Sequence, residues 1–137
     1  MTFTELTQGV DYRTLLYLNK ASAGNFTLHL YTSNHTPAVG DTNTTYTTIE
    51  CSLTGYSAHT FAPGDWTGST TAGVSTYATA GVVFTFSAYA GGTTIYGAYL
   101  QNGAGDVIAA ALLDTSFAVP TGGVSVTITP TVTMKQC

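Results

Sequence analysis

The chain is short of charge. Asp, Glu, Lys and Arg make up 7% of its 137 residues, against roughly 25% in an average soluble domain. Only Arg13, Lys20 and Lys135 are positive, and the formal net charge is −4. Phosphate binding requires clustered Lys and Arg, so nucleic acid is not expected as a direct partner. Cysteine is scarce as well. Cys51 and Cys137 do not make a disulfide framework; two free thiols is the reading adopted, with a single bridge between them left open. The opening MTFTELTQGVDYR has no basic segment followed by an apolar one, so no signal peptide is expected and synthesis in a cytoplasm is. The longest apolar run, Val107 to Leu113, is too short to cross a bilayer as a helix, and no membrane partner is expected.

Chemistry-bearing motifs are missing too. No G-x-S-x-G elbow exists, so a nucleophile triad has no anchor. The glycine pairs are not followed by Lys-Ser/Thr, which removes a phosphate loop. Asp65, Asp106 and Asp114 could supply a glycosidase pair, yet nothing singles two of them out. His29, His35 and His59 show no ligand spacing with Asp41, Glu50 or Asp65. They read as solvated surface histidines, with His29 pointing away from the core between Leu28 and Leu30. No enzyme activity, metal or cofactor is expected. Asn25, Asn34 and Asn43 each begin an Asn-x-Ser/Thr triplet, but in a chain so rich in Ser and Thr such triplets arise by chance.

What the chain has is hydroxyl groups, strand formers and turns. Threonine is its most frequent residue, 44% of residues are hydrophobic, and there are 15 glycines. Thr, Val, Tyr and Phe favour strands, and glycine favours turns. From Gly81 to Met134 four strand-like runs follow one another: Val82 to Phe86, Thr93 to Leu100, Val107 to Leu113, and a last run that alternates. Val124, Val126, Ile128 and Val132 fall on one side of that run; Ser125, Thr127, Thr129, Thr131 and Thr133 fall on the other. A period of two marks a half-buried strand. Pro130 within it predicts an edge strand or a bulge, because proline has no amide hydrogen for a central ladder. Val107 to Leu113 could also be two turns of helix, but glycine-rich turns bracket it, and it is taken as a strand.

Earlier in the chain, Phe26 to Thr32 alternates as a strand. Residues 33–45 read as a loop, Tyr46 to Leu53 as a strand, and Gly55 to Phe61 as a short segment. A turn at Ala62-Pro63-Gly64-Asp65 leads into Trp66. Residues 68–73 read as a loop, and Val74 to Thr79 as a strand hairpinned to Val82 through Ala80-Gly81. Asp11 is positioned to cap a short helix over Tyr12 to Lys20, with a strand over residues 14–18 as the alternative. The expected fold is all-β: one two-sheet β-sandwich or jelly-roll-like domain over residues 11–137, with one short N-terminal helix. Residues 1–10 read as an arm whose Phe3, Leu6 and Val10 would contact a neighbouring subunit. The rival reading packs the arm on its own domain. Trp66, after its turn, could stack on a sugar, or fill the sandwich core.

One succession of segments goes further. Leu53-Thr54-Gly55-Tyr56, Gly64-Asp65-Trp66, GVVFTF, TTIYGAYLQNGAGDVIAAALLD, then a proline with paired glycines, then VSVTITPTVTM resembles small virion proteins of tailed bacteriophages. The resemblance runs from about residue 11 and includes Leu15-Leu16 ahead of the Phe26 strand. It implies a structural β-sandwich of the capsid cement or decoration type, on the outer surface of the head. The implied partners are the major capsid protein and further copies of the chain as a homo-oligomer, most simply a trimer. The alternative it leaves open is a carbohydrate-recognising head-fibre or tail module. It brings no catalytic residues.

Overall fold

A computed structural model describes residue 1 and residues 3–9, 24–87 and 92–135. The chain is an all-β, sandwich-like fold of antiparallel sheets. Among the described residues, ten strands run in order: β1 (Thr4–Glu5), β2 (Phe26–Tyr31), β3 (His59–Phe61), β4 (Thr67–Thr71), β5 (Val74–Ala78), β6 (Val82–Phe86), β7 (Thr94–Gln101), β8 (Val107–Ala118), β9 (Val124–Ile128) and β10 (Thr131–Lys135). Helix α1 spans Asn43–Thr47, residues 7–9 are helical, and Pro63–Asp65 form a 3-10 turn. The strands make a five-stranded sheet ordered β1-β8-β7-β2-β3, a three-stranded sheet β10-β5-β4, and the pair β6-β9.

The five-stranded sheet is buried on both faces, and strand periodicity decides what goes where. Leu28, Leu30, Ala98, Leu100, Ala109 and Ala111 face a large core completed by Val82, Phe84, Phe86 and Ile128 from β6 and β9. Tyr31, Tyr99 and Ala110 face the other way, into a second core closed by Leu6 and by Tyr46 of α1. A bulge makes room for a change of face at the start of β8. Leu100 pairs with Ala109, but Gln101 pairs with Val107, so Ile108 is the extra residue and Val107 turns into the second core. The Ile108 carbonyl, freed from β7, accepts the Leu6 N–H at 3.0 Å. At Gly97 the Tyr31 ring lies across β7. A Cβ there would collide with that ring and with the Ala111 carbonyl.

Several expectations are corrected. Residues 43–47 are helical where a loop and the start of a strand were expected. Thr45 Oγ1 accepts the Thr42 N–H at 3.2 Å, a capping bond that starts a helical turn, and only a single bridge between Tyr31 and Glu50 remains of the expected strand. Residues 67–71 are strand, not loop. They form a hairpin with β5 through Ala72-Gly73, both at positive φ (50° and 77°), the geometry of a tight two-residue turn. β5 therefore pairs with β4 and β10, while β6 pairs with β9. The alternating run breaks at Pro130, which is buried between β9 and β10 where the chain leaves one sheet for another. Proline ends one ladder there, and its carbonyl accepts the Thr79 N–H at 3.3 Å. The expected helix over residues 12–20 lies outside the described residues.

The arm reading changes most. β1 pairs with β8, Thr4 with Ala110 and Glu5 with Ala109. Phe3 enters the large core and Leu6 the second, on opposite faces of the sheet. Neither side chain is free to reach a neighbour, because each gains more by filling its own core. Val10 lies outside the described residues. Phe3→Ala and Leu6→Ala are each expected to destabilise the fold by about 2–5 kcal/mol. Since the two residues share no core, the losses should add. Urea unfolding of both single variants and the double variant checks this, and near-zero losses would restore the free arm.

Candidate functional site

The side chains that sequence reading scattered over the surface meet on the second face of the five-stranded sheet. The chain leaving β2 crosses that face, forms α1, and returns to the edge of β2. There the Thr32 N–H donates to the Ile49 carbonyl at 2.9 Å and the Cys51 N–H to the Leu30 carbonyl at 2.8 Å. Under this crossing lie two histidine–carboxylate pairs. His29 Nδ1 is 2.6 Å from Glu50 Oε1, and His35 Nε2 is 2.8 Å from Asp41 Oδ2. His29 does point away from the large core, but it is not solvated: its side chain is 13% exposed, and its ring stacks on Tyr99 with centroids 4.7 Å apart. The aromatic contact continues through Tyr99–Tyr46 (5.5 Å) to Tyr46–Tyr31 (5.7 Å) and Tyr46–His35 (5.6 Å).

Hydroxyl groups tie this layer down. Asp41 Oδ2 accepts the Tyr46 hydroxyl at 2.8 Å and the Ala38 N–H at 2.9 Å. The Tyr31 hydroxyl sits between the carbonyls of His35 (3.1 Å) and Ala111 (3.2 Å). Tyr56 accepts the Leu30 N–H at 2.9 Å, where β2 has outrun β3, and its hydroxyl lies 3.4 Å from Glu50. Asn43 clips α1 to the β7–β8 turn: its Oδ1 accepts the Val107 N–H at 2.6 Å, and its Nδ2 donates to Asp106 at 3.3 Å. Asn43 is thus a structural side chain.

The electrostatics suit a structural layer. Burial, then the Asp41 charge, pushes the Tyr31 phenol up to about 12. Burial likewise raises Tyr46, Tyr56 and Tyr99, helped by Asp41 or Glu50. These phenols stay protonated, and those of Tyr31, Tyr46 and Tyr56 donate hydrogen bonds. Burial also pushes up the thiol of Cys51, a buried free cysteine, so it is a poor nucleophile near neutral pH. Burial opposes the Asp41 charge, but hydrogen bonds from Ala38, His35 and Tyr46, together with the His35 charge, outweigh it and hold the carboxyl below its ordinary value. Among the described residues, no group of three or more His, Cys, Asp or Glu side chains gathers as metal ligands would.

Trp66 is half-buried. Its ring meets Phe61 edge-on at 5.2 Å and Phe26 at 6.4 Å, and its buried Nε1 has no partner among the described groups. It serves the rim of the large core.

The opposite side of the molecule differs in kind. Residues 66–105 and 115–134 contain no Asp, Glu, Lys or Arg, and they supply β4, β5, β6, β9 and most of β10. The outer face of β6–β9 exposes Val83, Thr85, Ser125 and Thr127, with Val83 61% exposed. Hydroxyl pairs bridge neighbouring strands: Thr85 with Ser125 at 3.1 Å, Thr76 with Thr133 at 3.3 Å, and Thr70 with Ser75 at 2.7 Å. Such a surface offers hydrogen bonds and methyl groups without the desolvation cost of burying charge. Charge returns only at the borders, as Lys135 at the end of β10 and as Asp114 with the Met1 ammonium beside Thr127; the low overall charge was visible in the sequence, but the grouping of the uncharged strands required the strand topology.

Comparison with protein-family models, curated proteins and solved structures finds no match to this chain.

Asp41 also gives a pH signature. A carboxyl held below its ordinary value of 3.8 contributes stability above that pH and loses it as pH falls through the folded-state value. The melting temperature should therefore drop on acidification below about pH 4. Asp41→Asn should be less stable at neutral pH and show a shallower drop. Parallel slopes for the two proteins would show that Asp41 does not hold the crossing segment.

Proposed function

We propose that this chain is a virion structural protein, a capsid cement or decoration protein that stabilises a phage head by binding its subunits. The observation that carries the reading is that β4, β5, β6 and β9 hold no Asp, Glu, Lys or Arg and β10 holds only its last residue, Lys135. Interface cores are poor in charged residues and tolerate hydroxyl and aliphatic groups, whereas a surface kept in solvent gains solubility from charge. Val83 at 61% and Tyr77 at 42% exposure are apolar groups that a covering partner would remove from water. The attachment surface is thus assigned to the face of β6–β9 rather than to Phe3 and Leu6. Each such contact is modest, and many copies on one shell make simultaneous release rare. The alternative, a sugar-binding module resting on Trp66, draws no support from a ring turned edge-on into Phe61.

Co-sedimentation with phage heads assembled without this protein tests the proposal. The double variant Val83→Lys, Ser125→Lys would bury two added charges and should weaken binding by about 100-fold or more. Thr47→Lys, exposed on α1, should bind as the unaltered chain does. Full binding by the double variant, with its melting temperature intact, would reject this surface. No binding by the unaltered chain would reject the function.

A further inference from the structure

Among the described residues, β4 is an open strand edge with none of the usual protection. Among the described residues it pairs only with β5, in unbroken register from Thr67–Ala78 to Thr71–Val74. All five of its residues are exposed. Natural edge strands are guarded by lysine, proline, inward charge or a bulge, because a free row of N–H and C=O groups templates another strand. Thr67-Gly68-Ser69-Thr70-Thr71 has no such guard. Gly68 adds to the opening. It lies opposite Tyr77, so close to β5 that a Cβ would strike the Thr76 carbonyl and the Tyr77 backbone.

We infer that the outer edge of β4 pairs antiparallel with the β4 of a second copy, joining two three-stranded sheets into one of six strands about a two-fold axis at Ser69. Two features select a copy of this chain as the occupant. The first is self-complementarity. With Ser69 on the axis, Thr67 meets the copy's Thr71 and Gly68 meets its Thr70, so hydroxyl faces hydroxyl or glycine at each step. The row Thr133–Thr76–Ser69 within one copy continues into Ser69–Thr76–Thr133 of the other. Thr76 and Thr133 already pair at 3.3 Å, so the sheet uses this cross-strand chemistry internally. The second is charge. Two copies that each carry −4 repel most where their acids meet, and the nearest acid to β4, Asp65, would lie opposite Gly73 of the copy. Like-charge contact, which rejects wrong partners elsewhere, is absent along this edge. The pairing rests on the strand edge alone and is independent of whether the chain decorates a capsid.

The test is cysteine cross-linking of the full chain. Opposed Cα atoms in an antiparallel pair are about 4.5–5.5 Å apart, inside the range a disulfide spans. Ser69→Cys, in a Cys137→Ser background that leaves Cys51 buried, should form a covalent dimer under mild oxidation. It should do so about tenfold or more faster than Thr127→Cys, also exposed, on β9. Ser69→Lys, which places two positive charges on the axis, should abolish concentration-dependent sedimentation while leaving the melting temperature unchanged, and Ser69→Ala should preserve it. Equal cross-linking at the two positions, or sedimentation of the unaltered chain that does not change with concentration, would overturn the pairing. A chain that fails this test yet binds heads would lose this inference and keep the proposed function.

Discussion

Everything in this fold depends on one sheet being dry on both sides. Successive side chains of a strand point to opposite faces, so β2 must satisfy two environments at once. Leu28 and Leu30 go into the sandwich, while His29 and Tyr31 go under the α1 crossing. β7 repeats the arrangement with Leu100 against Tyr99. The first turn of chain closes the system by sending Phe3 one way and Leu6 the other from a two-residue strand. Removing either cover would expose aromatic surface and the backbone groups beneath it.

With few charges available, backbone amides left outside the ladders are taken up by hydroxyls and side-chain amides. The free amide of Leu30 takes the Tyr56 hydroxyl, and the Val107 amide takes Asn43. Acidic groups are used where several donors converge, as on Asp41. Asp41, Glu50 and Asp106 gather around α1, while strands β6 and β9 carry no charge of their own and meet one only at their border, where Asp114 and the Met1 ammonium lie beside Thr127. The same economy that builds the second core thus produces the surface assigned to assembly.

The sequence carried the strands and missed the layer above them. Val82 to Phe86, the strand beginning at Val107 and the alternating Val124 run were legible because period and turn signals agreed. The hairpin at Ala72-Gly73 was not, since Thr67 to Thr71 carries no apolar alternation: it is exposed on both faces and held by backbone pairing. Helix α1 was hidden because its residues are poor helix formers; a Thr42–Thr45 bond and the Asn43 clip hold it. His29 read as solvated because alternation tells which side chains leave one core but not whether a second core awaits them. Pro130 read as an edge strand or a bulge within one run, and the change of sheet it marks could be seen only in three dimensions. The same holds for Phe3 and Leu6, whose partners lie far along the chain, on β8.

Amide hydrogen exchange, resolved by residue, tests the two-sided sheet most directly. If both faces are covered by one cooperative structure, the amides of Leu28, Tyr99 and Leu100 exchange only through global unfolding. The Cys51 amide, which seals the crossing segment to Leu30, should share that slow rate, and the β4 amides of the free chain should exchange far faster. Rapid exchange at Cys51 with β2 and β7 still protected would contradict the two-sided sheet, because the α1 crossing would then be a loose cover rather than half of the core.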